Sequence, residues 1–335
     1  MSADRGELPT ILALFTGGTI SCTLDPERGV PVPTLTGEAI LGHTLGLRDV
    51  TNVVIDNFGR YPGPHMHPVR MLYLADRIRA ATTDGSIDGV IVTHGTDTIE
   101  ETAFVLDRVL DPQIPVVVFG AMKLLSDPTW DGPANVLAAA QVAVSANARG
   151  RGVMVVMADS IHTAADVVKV HAESYDSFAS PGSGPIGVVD RGKVIFFRGP
   201  TRPSLPSFKG DAIEPAVDLI TTVAGADGRY IEASLAADAK GLVIEGMGRG
   251  NVTPGMAEAI TANAGDLPIV MTTRCARGRA APMYGYDGGG ATLQESGVIF
   301  ADQLPGPKAR LLLMLLLGAG AGRDEIKAAF EQDRY

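Results

Sequence analysis

The stretch from Gly89 to Leu110 most constrains what this chain can fold into. Gly89-Val90-Ile91-Val92 is a short, apolar, β-branched run, the pattern of a strand buried in a parallel sheet. From Ile99 the apolar residues change period, and positions 99, 103, 106 and 110 fall on one helical face. Thr98 with Glu101 three residues later matches a capping box, so the spacing predicts a helix starting there. His94 to Asp97 therefore occupy the turn between the carboxyl end of a strand and the amino end of a helix. In an open α/β sheet that is where ligands bind. This turn offers an imidazole, a hydroxyl and a carboxylate, with the positive end of the helix dipole behind them.

The same alternation runs along the chain. Strand-like runs at 11–15, 53–58, 90–93, 116–119, 153–157 and 194–197 are separated by helical patterns at 69–81, 99–110 and 134–146. Residues 198–218 hold four prolines and little periodicity, and read as a linker. A second alternation follows, with strands at 242–245, 269–272 and 298–301 and helices at 254–264, 308–317 and 324–332. The predicted fold class is α/β in two domains: a larger doubly wound, mostly parallel sheet and a smaller α/β C-terminal domain. The expected boundaries are 1–197, a linker at 198–218, and 219–335. A length of 335 residues exceeds what one hydrophobic core usually organises, which agrees with that division.

Composition excludes several classes. A net charge of −10 with no basic patch argues against nucleic acid as a partner. The longest apolar run, 311–317, falls far short of the roughly 20 residues that span a bilayer. Cys22 and Cys275 make no disulfide framework and no signal-peptide pattern opens the chain, so a cytoplasmic protein is expected. The 40 glycines exceed the usual share of about 7% and gather at strand ends, as tight turns at a site require.

One such turn closes the first strand: Phe15-Thr16-Gly17-Gly18-Thr19-Ile20. Its glycines permit positive φ and close backbone approach, and its threonines supply hydroxyls. No Gly-Lys-Ser/Thr follows, so it is not a phosphate-binding loop of the Walker type. Residues 21–36, with three prolines, read as a lid over the site or as a surface loop. His94, His65 and His67 lack further metal ligands at matched spacing, so His94 is read as structural and no metal is expected. Asp97 is either a helix-terminus carboxylate or a ligand group, and Lys169 has no local sign of burial. Gly246-Met247-Gly248-Arg249-Gly250-Asn251 approaches a dinucleotide fingerprint but carries Asn where its third glycine would be. The Asn251 amide could instead enter a polar site. Cys22, with no adjacent base, reads as a small buried residue.

Taken together, these motifs resemble the bacterial-type L-asparaginase/glutaminase family over nearly the whole chain. Thr16-Gly17-Gly18-Thr19-Ile20 is similar to its first signature, and the segment from His94 to Thr98 with Glu100-Glu101-Thr102 to its second. Gly120-Ala121-Met122, Asp131-Gly132-Pro133 with Asn135, Asp166 with Lys169, and Gly250-Asn251 also fall in the family's order. The resemblance implies a cofactor-free amidohydrolase working through threonine on a small-molecule amide. By position Thr16 matches the nucleophile, and Thr96, Asp97 and Lys169 match a second triad. Asp97 also matches the group that binds the substrate α-amino. A threonine hydroxyl needs such activation, and backbone N–H groups of a glycine-rich turn can hold the tetrahedral oxyanion. Family members are homotetramers whose sites are completed by a neighbour's small domain, which is where Asn251 would enter.

Three positions depart from the family pattern. No tyrosine lies between Thr16 and Tyr61, where the family lid usually carries one. Arg60, within Asn57-Phe58-Gly59-Arg60-Tyr61-Pro62, stands where a serine holds the substrate α-carboxylate, so Gly59 and Arg60 are substrate-binding candidates. From Tyr284 to Gly290 only Asp287 could match the acidic residue donated by the neighbour. The expected reaction is hydrolysis of the side-chain amide of L-asparagine or a close asparagine or glutamine derivative. Three alternatives stand beside it: a related amidase for a larger or N-substituted amide, a glutamine-dependent amidotransferase subunit, and an inactive binding module. Amidotransferase subunits of the family carry an extra domain before the first signature, and the fifteen residues ahead of Thr16 count against that alternative. Intact Thr16, Thr96, Asp97 and Lys169 argue against an inactive module.

Overall fold

The structure, a computed structural model, describes residues 8–110, 112–199, 207–208 and 212–331. The chain divides into two compact units, with the boundary between 202 and 203. Of the expected linker, residues 200–206 and 209–211 lie outside the described residues.

The first unit opens with β1 (Thr10–Phe15), a hairpin of β2 (Cys22–Leu24) and β3 (Pro31–Pro33), and α1 (Gly37–Gly42). β4 (Asn52–Asp56), α2 (Pro68–Ala81), β5 (Gly89–Thr93), α3 (Ile99–Val109), β6 (Val116–Phe119), α4 (Gly132–Ala143) and β7 (Val153–Met157) complete the βα alternation. Five short strands follow: β8 (Ser160–Thr163), β9 (Val168–Lys169), β10 (Phe178–Ala179), β11 (Gly187–Asp190) and β12 (Lys193–Phe196). The main sheet runs β12-β11-β8-β7-β6-β5-β1-β4. β4, β1, β5, β6 and β7 are parallel, and β8, β11 and β12 extend the sheet antiparallel.

Burial follows from this topology. β5, β6 and β7 are buried at every residue, because helices cover the sheet on both faces. α2 packs with α3, which lies against β6 and β7, while α4 packs with α1 and against β5, β6 and β7. Each fully buried Val or Ile of these strands contributes about 1.5–3 kcal/mol relative to exposure. α3 starts at Ile99, where the spacing predicts, but the capping box does not form. Thr98 donates its hydroxyl to Gly63 O at 2.7 Å instead, tying the helix start to another loop.

In this arrangement the strand order reverses at β1. The chain steps from β1 outward to β4, then crosses back to place β5 on the other side. The carboxyl ends of β1 and β5 therefore flank the topological switch point. The register sets Phe15 beside Thr93, so both strands end at the same level.

The second unit holds β13 (Val217–Thr221), α5 (Arg229–Ala236), β14 (Gly241–Gly246), α6 (Pro254–Asn263) and β15 (Ile269–Thr273). It ends with α7 (Gly290–Glu295), β16 (Ile299–Phe300), α8 (Gly306–Gly318) and α9 (Arg323–Phe330). Its sheet, β13-β14-β15-β16, is parallel throughout. The apolar run seen in the sequence is the buried face of α8, which packs on β13, β14 and β15. Among the described residues no helix is long and apolar enough to cross a membrane.

Candidate active site

Two turns leave the switch point side by side, one after β1 and one after β5. Thr16, fully buried, donates its hydroxyl to Thr93 O at 2.7 Å, and its N–H to Thr93 Oγ1 at 3.3 Å. Gly17 and Gly18 have φ of +114° and +81°, conformations closed to most side chains. A Cβ on Gly18 would lie 2.5 Å from Gly95 Cα, and one on Gly95 would lie 2.5 Å from Gly63 Cα. Three loops are thus stacked backbone on backbone: the Thr16 turn, the Thr96 turn and the segment after β4. The last is pinned by Tyr61 N–H to Thr16 O at 2.7 Å and Gly18 N–H to Tyr61 O at 2.9 Å.

His94 supports the second turn. It is fully buried; its Nδ1 lies 2.8 Å from Gly95 O and its Nε2 2.7 Å from Thr102 Oγ1. A carbonyl can only accept, so the proton sits on Nδ1, and Nε2 accepts from the Thr102 hydroxyl. Desolvation lowers the imidazole pKa to about 4, opposed in part by the bond to Gly95. A neutral ring with both nitrogens engaged is a structural group. His65 and His67 are exposed, and no group of three or more His, Cys, Asp or Glu among the described residues is arranged to hold a metal ion.

Lys169 comes to this turn from β9. Its Nζ donates to Thr96 Oγ1 at 2.9 Å and to Asp97 Oδ1 at 2.7 Å. Thr96 is buried, the Lys169 side chain is 14% exposed, and the Asp97 carboxylate is 60% exposed. One oxygen of Asp97 thus faces the amine while the group opens to solvent, as a site for a cationic ligand group requires. The exposed Lys169–Asp97 geometry adds little stability, since solvent screens it.

The loop after β6 lies beside the same turn and is held from below. Asp131 accepts the N–H groups of Met122 and Lys123, each at 2.9 Å, and the Asn135 amide at 3.1 Å. Asn135 also donates to Gly120 O at 3.0 Å. This joins Gly120-Ala121-Met122 to Asp131-Gly132-Pro133 and Asn135: the carboxylate replaces a strand partner for a bent backbone. A Cβ on Gly120 would sit 2.6 Å from His94 O.

The remaining candidates have other surroundings. Gly59 donates its N–H to Phe15 O at 3.0 Å, so that donor is already engaged. Arg60 is exposed and has no hydrogen bond or ion pair to any described residue. Tyr61 lies under the Arg70 guanidinium, 4.0 Å from ring centroid to Cζ, and edge-on to Phe58. Asn251 belongs to the second unit, in the turn after β14. Its Oδ1 accepts Gly290 N–H at 3.2 Å and its backbone pairs with Met247, so it ties that turn to the start of α7. Cys22 is buried, its Sγ 3.4 Å from Gly18 O, and burial raises its pKa, which disfavours the thiolate. Residues 21–36 form the β2–β3 hairpin, bonded back through Thr34 and Leu35 N–H to Ser21 O.

Sequence reasoning did not single out Thr93, which anchors Thr16, or Gly63, which takes the Thr98 hydroxyl. Thr93 carries a signal of a kind, a hydroxyl at the last position of an otherwise apolar strand. Gly63 carries none, because its role depends on a loop 35 residues away.

Chemically, a threonine oxygen beside an amine and a carboxylate at a switch point suits acyl transfer by proton relay. That class, an acyl-transfer site built on a threonine hydroxyl of an α/β fold, is narrowed by comparison with known proteins. Residues 10–202 match the family model described as Asparaginase, N-terminal, and residues 216–330 match the Glutaminase/Asparaginase C-terminal domain. The chain is 40% identical over 332 residues to the "Probable L-asparaginase" of Deinococcus radiodurans, covering 97% of this chain and 98% of that one. It is 31% identical over 327 residues to a glutamyl-tRNA(Gln) amidotransferase subunit of Methanosarcina mazei, covering 93% of this chain and 74% of that one. The crystal structure of the "Probable Cytoplasmic L-asparaginase from Campylobacter jejuni" matches with a TM-score of 0.86 at 29% identity, covering 97% of this chain and 100% of that one. The chain belongs to the asparaginase family and is an amidohydrolase of the asparaginase type.

Proposed function

We propose that the protein hydrolyses the side-chain amide of L-asparagine, or a close asparagine or glutamine derivative, to the acid and ammonia through a threonine nucleophile and an acyl-enzyme. The observation that carries this reading is the Lys169 amine within hydrogen-bond distance of both Thr96 Oγ1 and Asp97 Oδ1. Thr16 Oγ1 attacks the amide carbon, and its proton passes to the Thr96–Lys169 pair. The tetrahedral oxyanion meets backbone N–H groups; those of Gly17 and Thr96 donate to no backbone group among the described residues. Collapse breaks the C–N bond, ammonia leaves with the returned proton, and water then hydrolyses the Thr16 ester. Asp97 holds the substrate ammonium, and Gly59, Arg60 and Asn251 complete substrate binding. Since the Gly59 N–H is engaged by Phe15 O, Gly59 serves through its backbone path and not as a donor.

The same reading includes a homotetramer whose sites take Asn251 from a neighbour, no nucleic-acid or membrane partner, and no cofactor. It keeps 1–197 as the domain with the catalytic threonines and 219–335 within the small domain, with the end of the stretch read as linker, from Val217, belonging to the small domain's first strand. Cytoplasmic placement is supported by the two unpaired cysteines and by the Campylobacter jejuni neighbour, a probable cytoplasmic L-asparaginase.

A second reading makes Thr96 the nucleophile. The direct Lys169 contact favours it, because Thr16 faces only a carbonyl. Ammonia release and mass spectrometry of a quenched reaction separate the two. Thr16→Ala is expected to lower turnover on the order of 10³-fold or more, with the acyl group found on Thr16 in wild type. Acylation of Thr96, with near-normal turnover in Thr16→Ala, would transfer the role. No ammonia from L-asparagine, L-glutamine, their D-forms or N-substituted derivatives would remove the proposal altogether.

A further inference from the structure

Lys169 carries its amine to Thr96 and Asp97 from a strand of only two residues, paired with Phe178–Ala179. So short a ladder holds a side-chain tip weakly. The adjacent N–H, that of Val170, is taken by Ser177 O at 2.8 Å, whereas the Lys169 N–H points off the ladder. It is donated to Glu100 Oε2 at 2.9 Å. Glu100 lies in the first turn of α3, four residues after Thr96. The element that presents Thr96 and Asp97 therefore also grips the backbone of the lysine that serves them.

We propose that Glu100 is a positioning residue of the amidohydrolase site, fixing the Lys169 backbone so that Nζ stays on Thr96 and Asp97. This rests on the reading in which Lys169 relays the proton. The hairpin has a separate anchor at its base: Asp166 Oδ2 accepts the hydroxyls of Thr163 at 2.9 Å and Ser183 at 3.1 Å. Loss of the Glu100 contact thus loosens the strand without dissolving the loop. A carboxylate at a helix N-terminus also favours the dipole, but any acid there does so, and Glu101 follows. The dipole depends on charge. The grip on Lys169 depends on an acceptor oxygen at one place.

Three substitutions in the full chain separate these roles, read by kcat and KM for ammonia release from L-asparagine and by crystal structures. Glu100→Ala removes the acceptor and is expected to lower kcat about 10- to 100-fold, the scale of a misplaced catalytic group, with a smaller change in KM. Glu100→Gln loses the charge but keeps a carbonyl acceptor, and is expected to restore kcat to within about threefold of wild type. Glu100→Asp keeps the charge but withdraws the acceptor by one methylene. It is expected to behave like Glu100→Ala, and stands in for it if that variant does not fold. In the two damaged variants Nζ is expected beyond hydrogen-bond range of Thr96 Oγ1. Wild-type kcat in Glu100→Ala or Glu100→Asp, equal damage in Glu100→Gln, or an unmoved Nζ would each overturn the proposal. A wild type that releases no ammonia counts against the substrate reading alone, and the Nζ–Oγ1 separation then decides the positioning role.

Discussion

Through His94 the stability of the fold depends on pH, in a direction and amount that follow from the burial of its ring. The ring has no exposed surface, and its pKa falls from 6.5 to about 4. Between those values the unfolded chain binds a proton that the folded chain refuses. Stability therefore rises with pH across this window, is fully present above about 6.5, and is lost as pH falls toward 4. Linkage gives a loss of about 2 kcal/mol at pH 5 and about 3 kcal/mol once pH is below 4. Structurally, protonation would put a charge in a dry site and force Thr102 to accept where it now donates. Urea unfolding at pH 7 and pH 5, in wild type and in His94→Gln, isolates this contribution, because other titrating groups act in both. The variant is expected to be less stable at pH 7 but to lose about 2 kcal/mol less on going to pH 5. The same pH dependence in both proteins, or an NMR titration of the His94 ring with a midpoint near 6.5, would refute the reasoning.

Two further outcomes test the proposed site. Arg60→Ser is expected to raise KM for the carboxylate-bearing substrate about tenfold with kcat little changed, as loss of a charge-assisted bond made equally in ground and transition states requires; an unchanged KM for every substrate in the panel excludes Arg60 from binding. Light scattering of active enzyme is expected to give the mass of four chains, and activity in a sample at the mass of one chain contradicts completion of the site by a neighbour.

How much of the fold was legible depends on burial. The runs at 116–119 and 153–157 match β6 and β7 to the residue, because a strand covered on both faces must be apolar throughout. α3 and α8 were likewise readable, since each must bury a broad stripe. The elements that escaped notice are those whose partners, not their composition, make them regular. β9 and β10 have two residues each, too few for any period. β13 starts at Val217, inside the proline-rich stretch expected as linker, and its pattern is interrupted by exposed Asp218. α1 and α5 span only six and eight residues, so each offers too few turns for a repeating apolar pattern to stand out in the sequence.

The site shows the same limit in its chemistry. The turns of Thr16 and Thr96 were placed from strand-end patterns alone, but Lys169 and Thr96 are 73 residues apart and meet through a hairpin no local signal announces. Nor does the sequence reveal that the Thr16 hydroxyl is held by Thr93 O at 2.7 Å. For Thr16 to attack a substrate, that bond must first be given up. A buried hydroxyl-to-carbonyl bond is worth a net of about 0.5–1.5 kcal/mol, so releasing it slows the reaction by roughly tenfold at most. Under the proposed mechanism, removing the hydroxyl is expected to cost on the order of 10³-fold or more. On that same proposed mechanism, the Thr93 contact orients Thr16 between turnovers without blocking it, provided that the incoming substrate offers the rotated hydroxyl a better partner. In the proposed relay, Thr96, already in contact with the Lys169 amine and carried by the adjacent strand end, provides the next acceptor.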